Sequence, residues 1–266
     1  MQSSRPDARP WWRALEALCG APLPEAAVRA VAANVAVALA ELHADGLVHR
    51  VLGPDAIVLG EGACFDTARL ADGGCMAVLD VFGTFTDKAR LGLPALLAPE
   101  LVQARRGAAL AYTPATDMWA LGALLWALLT GAPPPAAAWL ASVAGAGVSV
   151  EDMQAGLDVC MQRELAALLP AARPSSSALG AVAALMRVDP AQRLDAPALL
   201  RQPWLLRGGS GASTDASLLG WGACEASHAA AWGDDAAGAP RLEAGFPGHA
   251  RAAASCPLLE CIFHHA

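Results

Sequence analysis

One lysine, Lys88, and one asparagine, Asn34, occur in the whole 266-residue chain. Lys plus Arg number 18 against 25 Asp plus Glu, a formal net charge of −7, and the basic residues gather into no dense run. That balance lacks the electrostatic footprint of a nucleic-acid or anionic-membrane binder. Seven cysteines, an odd number at irregular spacings, give no disulfide framework and read as reduced intracellular thiols. Aromatic residues make up 5%, so the hydrophobic content of 55% reflects abundant alanine more than an unusually large core. No apolar signal core is visible at the N-terminus. Its Arg and Ser residues leave an organelle transit peptide open beside the expected cytoplasmic or nucleocytoplasmic location.

The longest stretch without charge, Met118 to Val150, is interrupted by Gly131-Ala-Pro-Pro-Pro135. It therefore divides into a helix of roughly a dozen residues and a second piece, each too short to cross a bilayer. A helix apolar on all sides is expected in a core.

What is present is a series of motifs in order. Leu47 to Leu59 reads LVHRVLGPDAIVL, Ala68 to Gly74 reads ARLADGG, and Gly92 to Glu100 reads GLPALLAPE. Tyr112 to Gly122 reads YTPATDMWALG, Val188 to Arg193 reads VDPAQR, and Gln202 to Leu205 reads QPWL. The first resembles the catalytic loop of protein kinases, LVHRDLKPENIL, and the others resemble KLADFG, GTPEYLAPE, YSPKSDVWSLG, DPxxR and HPWL of the same family. Six landmarks in the right order identify a resemblance to serine/threonine-type protein kinases, in their large helical lobe.

The resemblance implies roles, and it implies losses. In the family, the loop's Asp accepts the substrate hydroxyl's proton, a Lys steadies the transferred phosphate and an Asn holds a metal ion. Here those positions are Val51, Gly53 and Ala56, which offer neither a proton acceptor, a charge nor a metal ligand. The retained positions are His49, Arg50, Asp72, Glu100, Asp117 and Arg193, which in the family hold the helical lobe together or, for Asp72, bind metal. Arg193 is expected to pair with Glu100. A competing register would put the metal-binding aspartate at Asp80, in LDVFG; the LAD context favours Asp72. Asp72 is the one weak candidate for Mg²⁺, and without an asparagine partner it reads better as a solvated turn aspartate. Leu93 replaces the threonine that bonds the catalytic Asp.

Only about 48 residues precede His49, where the family has a complete small lobe with a glycine-rich loop, a lysine and its glutamate. None of these is visible, and Lys88 and Asn34 lie in the wrong places to substitute. The expected fold is mainly α: a kinase-like large lobe with a short β-hairpin, no small lobe, and a disordered C-terminal tail. The corresponding division is a flexible N-terminus over 1–10, the lobe over 11–206 and a Gly-, Ala-, Ser- and His-rich low-complexity tail over 207–266. No cofactor is expected, with ATP and Mg entering only if an upstream small lobe exists. The expected function is a catalytically silent interaction or regulatory module with a protein partner. The alternative is an incomplete product of a serine/threonine kinase-like gene whose full-length form binds ATP.

Local signals place the elements. Trp11 to Cys19 could form a short first helix. Pro24 and Glu25 suit a helix first turn, and Val28, Val31, Val35, Leu39 and Leu42 form a stripe that ends at Gly46. Strands are expected at Ala56–Leu59 and Ala68–Ala71, and a loop-like stretch from Asp72 to Glu100. Further helices are expected at Asp117, over Met153–Leu169 and Leu179–Arg187, and after an Asp195 N-cap. Arg50 is read as a structural arginine bonding backbone carbonyls, in preference to a dock for phosphate on Thr84 or Thr86. Cys256, Cys261, His264 and His265 have ligand chemistry but match no zinc module, and Leu258, Leu259, Ile262 and Phe263 beside them could be a short docking motif.

Overall fold

The computed structural model describes residues 22–60, 64–71, 74–89, 91–104, 108–143, 146–168 and 173–206. Asp72, the helix expected near Trp11, the N-terminus expected to be flexible over 1–10 and the Cys/His-bearing tail over 207–266 lie outside them.

Helix α1 (Glu25–Ala44) begins after Pro24, which sets an extended entry and needs no N–H. Its stripe, Val28, Val31, Val35, Leu39 and Leu42, is buried throughout. Asp45 closes the helix by donating its N–H to Glu41 O at 3.0 Å, and Gly46 takes φ 72°, which turns the chain into β1 (Leu47–Val48). By length and composition α1 could cross a membrane. Its buried stripe instead packs against neighbouring elements of the domain, as a core helix does.

A 3₁₀ turn at Pro54–Ala56 leads into the hairpin of β2 (Ile57–Gly60) and β3 (Cys64–Leu70), paired antiparallel with Ile57 opposite Leu70. The second strand starts four residues earlier than its sequence pattern suggests, taking in Cys64, Phe65, Asp66 and Thr67. The 72–100 segment also departs from the loop expected of it. It carries β4 (Ala77–Val78), paired with β1, and β5 (Phe85–Asp87), paired with β6 (Leu110–Tyr112). It then forms a 3₁₀ turn at Pro94–Leu96 and helix α2 (Pro99–Gln103). Strands of two or three residues show no alternation to read; partners distant in the chain create them.

Helix α3 (Pro114–Thr130) is buried almost end to end, with Trp119 and Trp126 fully enclosed. It starts three residues before Asp117, since Pro114 fits a first helical position, and ends on Gly131 at φ 72°. Beyond it come α4 (Ala136–Val143), α5 (Val150–Ala167), α6 (Ser176–Leu185), α7 (Ala196–Leu200) and α8 (Pro203–Leu206). Side chains of Ser149, Ser175 and Asp195 cap α5, α6 and α7 by accepting N–H bonds from Asp152, Ala178 and Ala198. α5 and α6 each begin three residues ahead of the sequence expectation because these serine caps precede the apolar stripe.

Two glycines permit close approach. A Cβ on Gly122 would lie 2.7 Å from Leu185 Cβ, so the missing side chain lets α6 approach α3 closely at this point. One on Gly156 would lie 2.1 Å from the Trp139 ring, which lets α4 lie on α5. The product is a mainly helical, kinase-like domain built on α3, with the small strand pairs gathered around the 47–60 segment.

Candidate functional site

Asp117 organises the loop that carries His49 and Arg50. From the first turn of α3 its carboxylate accepts the His49 N–H at 2.8 Å and the Arg50 N–H at 2.9 Å. Its Oδ2 also meets His43 Nε2 at 2.9 Å. A carboxylate only accepts, so His43 donates through an Nε2–H. The Asp117 side chain is 2% exposed. Three donors therefore compensate a charge withheld from water. His43 has no counterpart in the sequence reading, because nothing local signals that the last turn of α1 meets a residue 74 positions away.

His49 is buried, and its Nε2 donates to Ala71 O at 3.0 Å, tying the loop to the end of β3. This carbonyl immediately precedes position 72. Asp80, the competing candidate, lies in a separate turn where its Oδ1 accepts the N–H groups of Phe82 and Thr84.

Arg50 holds φ 73°, the only described non-glycine residue in the left-handed region. The conformation is costly for a side chain with a Cβ, and several contacts hold it. The guanidinium lies 4.5 Å from the Phe85 ring centroid and 4.8 Å from that of Tyr112. It donates to Cys75 O at 3.3 Å and forms a close ion pair with Asp87. Among the described residues, one of its partners is a backbone carbonyl, that of Cys75. The principal partner is a carboxylate that sequence reasoning passed over, and neither Thr84 nor Thr86 bonds it. The Ala89 N–H, donating to Oδ1 at 3.0 Å, does most to hold the Asp87 carboxyl below the ordinary carboxylate range. Partial desolvation opposes that effect, and Arg50 adds to it. Tyr112 completes the fastening: its hydroxyl donates to Ala89 O at 2.9 Å and accepts the Leu91 N–H at 2.9 Å.

The structure brings Glu100 and Arg193 together. Nη1 and Nη2 reach the two carboxylate oxygens at 3.0 and 3.1 Å, a two-pronged pair. Arg193 also donates to the carbonyls of Ala115 and Arg187, at 2.6 and 3.0 Å, and stacks 5.2 Å above the Trp119 ring. One side chain thereby fixes α2, the start of α3 and the 3₁₀ turn at Pro190–Gln192.

Within this frame, Val51 is half-buried while Gly53 and Ala56 are buried. A Cβ on Gly53 would lie 2.8 Å from Asp55 Oδ1 and 3.6 Å from Leu93 Cδ1, so the Asp55 carboxylate leans across the space a longer side chain would need. Leu52, Leu91, Leu93, Leu96, Leu97 and Leu101 line a cavity of about 10 Å³ beside Arg50. A space of that size barely admits one water. Among the described residues, no group of three or more His, Cys, Asp or Glu side chains could hold a metal ion. The region thus combines a frame rich in polar fastenings with an apolar centre. No carboxylate, ammonium or amide stands at 51, 53 or 56.

Comparison with known proteins agrees with the frame. The protein kinase domain family matches residues 12–205. Serine/threonine-protein kinase PkaA of Streptomyces coelicolor is 36% identical over 113 residues, covering 42% of this chain and 20% of the relative. Serine/threonine-protein kinase AfsK of the same organism is 39% identical over 117 residues, 44% of this chain and 13% of the relative. Calcium-dependent protein kinase 10 of Arabidopsis thaliana is 27% identical over 181 residues, 68% of this chain and 30% of the relative. The chain thus spans less than a third of the length of each of these relatives. With a family match over more than two thirds of its residues, and the Asp117 and Glu100–Arg193 fastenings in place, the chain belongs to the protein kinase family.

Proposed function

We propose that this chain is a catalytically silent, kinase-like helical lobe that acts as a protein-interaction or regulatory module. The observation that carries the reading is the content of the 49–56 loop. Asp117 holds its backbone through two amides, yet Val51, Gly53 and Ala56 supply no base, no phosphate-binding ammonium and no metal ligand. Loss of a positioned general base alone removes about 10²–10⁴-fold in rate. On this reading the lobe occupies 11–206, followed by a tail of low-complexity sequence, and it works without ATP, Mg or another cofactor. Its partner is a protein, in the cytoplasm or nucleocytoplasm, and not a nucleic acid or a membrane.

The test is phosphoryl transfer by the wild-type chain and by the variant combining Val51→Asp, Gly53→Lys and Ala56→Asn. Neither is expected to transfer phosphate to itself or to a general acceptor protein. Measured transfer by the wild type would overturn silence, and transfer by the triple variant would overturn the idea that this lobe by itself binds no nucleotide.

A second reading is favoured by the small share of each relative that the chain spans. Here the chain is part of a longer kinase-like product whose upstream lobe binds ATP. The mass of the endogenous protein separates the two: 27.1 kDa fits the first, and a product heavier by a small lobe fits the second.

A further inference from the structure

The most exposed large apolar side chains of the described residues stand side by side on one rigid turn. Val81 and Phe82 are 94% and 86% exposed, and Val78, on β4 just before them, is 71% exposed. The turn that carries them is tightly hydrogen-bonded. Asp80 N–H donates to Thr84 O at 2.9 Å, and Gly83 N–H to Asp80 O at 2.9 Å. The Asp80 carboxylate accepts the N–H groups of Phe82 and Thr84 at 2.9 and 3.0 Å. Gly83, at φ 71°, supplies the left-handed residue that closes the turn. At its base, Leu79 N–H donates to Gly46 O at 2.8 Å, anchoring the turn to the end of α1.

Turn tips normally carry polar side chains. This one holds a valine and a phenylalanine in water, so the favourable transfer of each out of water is unrealised. A preorganised aromatic anchor loses little conformational freedom on binding, as residues that dominate interfaces do. Resting on the interaction-module reading, we propose that Val78, Val81 and Phe82 form a knob that inserts into an apolar socket rimmed by Lys or Arg on a different protein.

Charge selects that occupant. The Leu79–Gly46 bond makes Asp45 and Asp80, both exposed, the chain neighbours of one backbone junction at the base of the knob, and Glu41, exposed one helical turn earlier, adds a third carboxylate on that flank. Two copies meeting through the same patch would oppose these carboxylates. The apolar stretch near the chain's own C-terminus carries Glu260 in its midst. An anionic lipid surface is repelled for the same reason. A basic-rimmed socket satisfies both the apolar tip and the acidic base.

The test places the photocrosslinking residue p-benzoylphenylalanine at position 82 of the full chain in its native cells. The crosslinked protein is identified, purified and titrated against the wild type, Phe82→Asp, Asp45→Lys and, as a control on exposed α5, Val159→Asp. The expected result is a distinct protein whose binding weakens at least about tenfold with Phe82→Asp. Binding should also weaken with Asp45→Lys, and as ionic strength rises from about 0.05 to about 0.3 M, but not with Val159→Asp. Absence of any crosslink, a crosslink only to a second copy or to residues 207–266, or equal binding by Phe82→Asp overturns the knob. The broader reading of a silent module fails separately, by detection of phosphoryl transfer in the wild-type chain.

Discussion

Asp117 and Asp87 are two carboxylates with opposite situations, and the difference sets what each substitution does. Asp117 is sealed from solvent and accepts two backbone amides and a histidine. Asp117→Ala strands those donors in the interior, and we expect a loss of roughly 3–5 kcal/mol in denaturant unfolding. A loss below about 1 kcal/mol would mean that water replaces the carboxylate. Asp87 is partly exposed and Asp87→Asn keeps an acceptor for the nearly buried Arg50 guanidinium, so that change should leave global stability nearly intact and loosen the segment Asp87 fastens. Lys88, the chain's only lysine, reports this directly, since a lysine-specific protease has one cleavage site. Asp87→Asn should be cut several-fold faster after Lys88, through more frequent local opening; an unchanged rate would show that Tyr112 alone holds the segment. Because the Asp87 carboxyl is lowered in the folded chain, the fastening is fully present above the ordinary value of 3.8 and lost as pH falls through the lower folded value. Asp87 was unreadable in the sequence for a physical reason. Nothing in Thr-Asp-Lys says that an arginine 37 residues earlier will arrive beside it.

Elements that were legible are those whose signal is local. The α1 stripe, its Gly46 stop and the Asp195 cap need only neighbours three or four residues away, and the structure has them. The kinase landmarks likewise gave the order of the helical elements. Unread were the pairings that made strands of 77–78, 85–87 and 110–112, and the junctions between distant helices. Glu25 is the clearest such junction. Its carboxylate accepts from Ser175 N–H at 2.8 Å, Ser175 Oγ at 2.7 Å and Trp204 Nε1 at 3.0 Å, joining α1 to α6 and α8. Burial alone would raise this carboxyl, but the bonds from Ser175, Trp204 and Arg29 together hold it below its ordinary value of 4.5. Its stabilisation is therefore complete above pH 4.5 and lost as pH falls through the folded value. Glu25→Gln should cost about 1–2 kcal/mol at neutral pH, and the gap in melting temperature to the wild type should close under acid. A gap that stays constant on acidification would assign the effect to shape rather than charge. Gly122 marks the other tight junction. Because the obstructing atom is Leu185 Cβ, which cannot swing away, Gly122→Ala should cost about 1–3 kcal/mol by thermal unfolding. No change would mean that α6 shifts freely on α3.

At the scale of the whole molecule, the kinase frame and its chemical centre have separated. The fastenings of the frame, Asp117 on the 49–50 amides and Arg193 on Glu100, do not depend on the identity of residues 51, 53 or 56. On the silent-module reading, the apolar centre is packed in a way that opposes polar replacements. Ala56 is 7% exposed, so Ala56→Asn places an amide where partners must be found; an amide without one costs about 1–3 kcal/mol. Gly53→Lys must displace Asp55 Oδ1, 2.8 Å from the new Cβ, and the ammonium would then pair with that carboxylate instead of remaining available to a phosphate. Val51→Asp sets a charge close to the leucine-lined cavity beside Arg50. We therefore expect the triple variant to fold, because the frame is untouched, and to melt below the wild type by an amount that corresponds to about 2–4 kcal/mol. A triple variant as stable as the wild type would show the opposite of what the packing argues, namely that the loop keeps room for polar side chains at 51, 53 and 56.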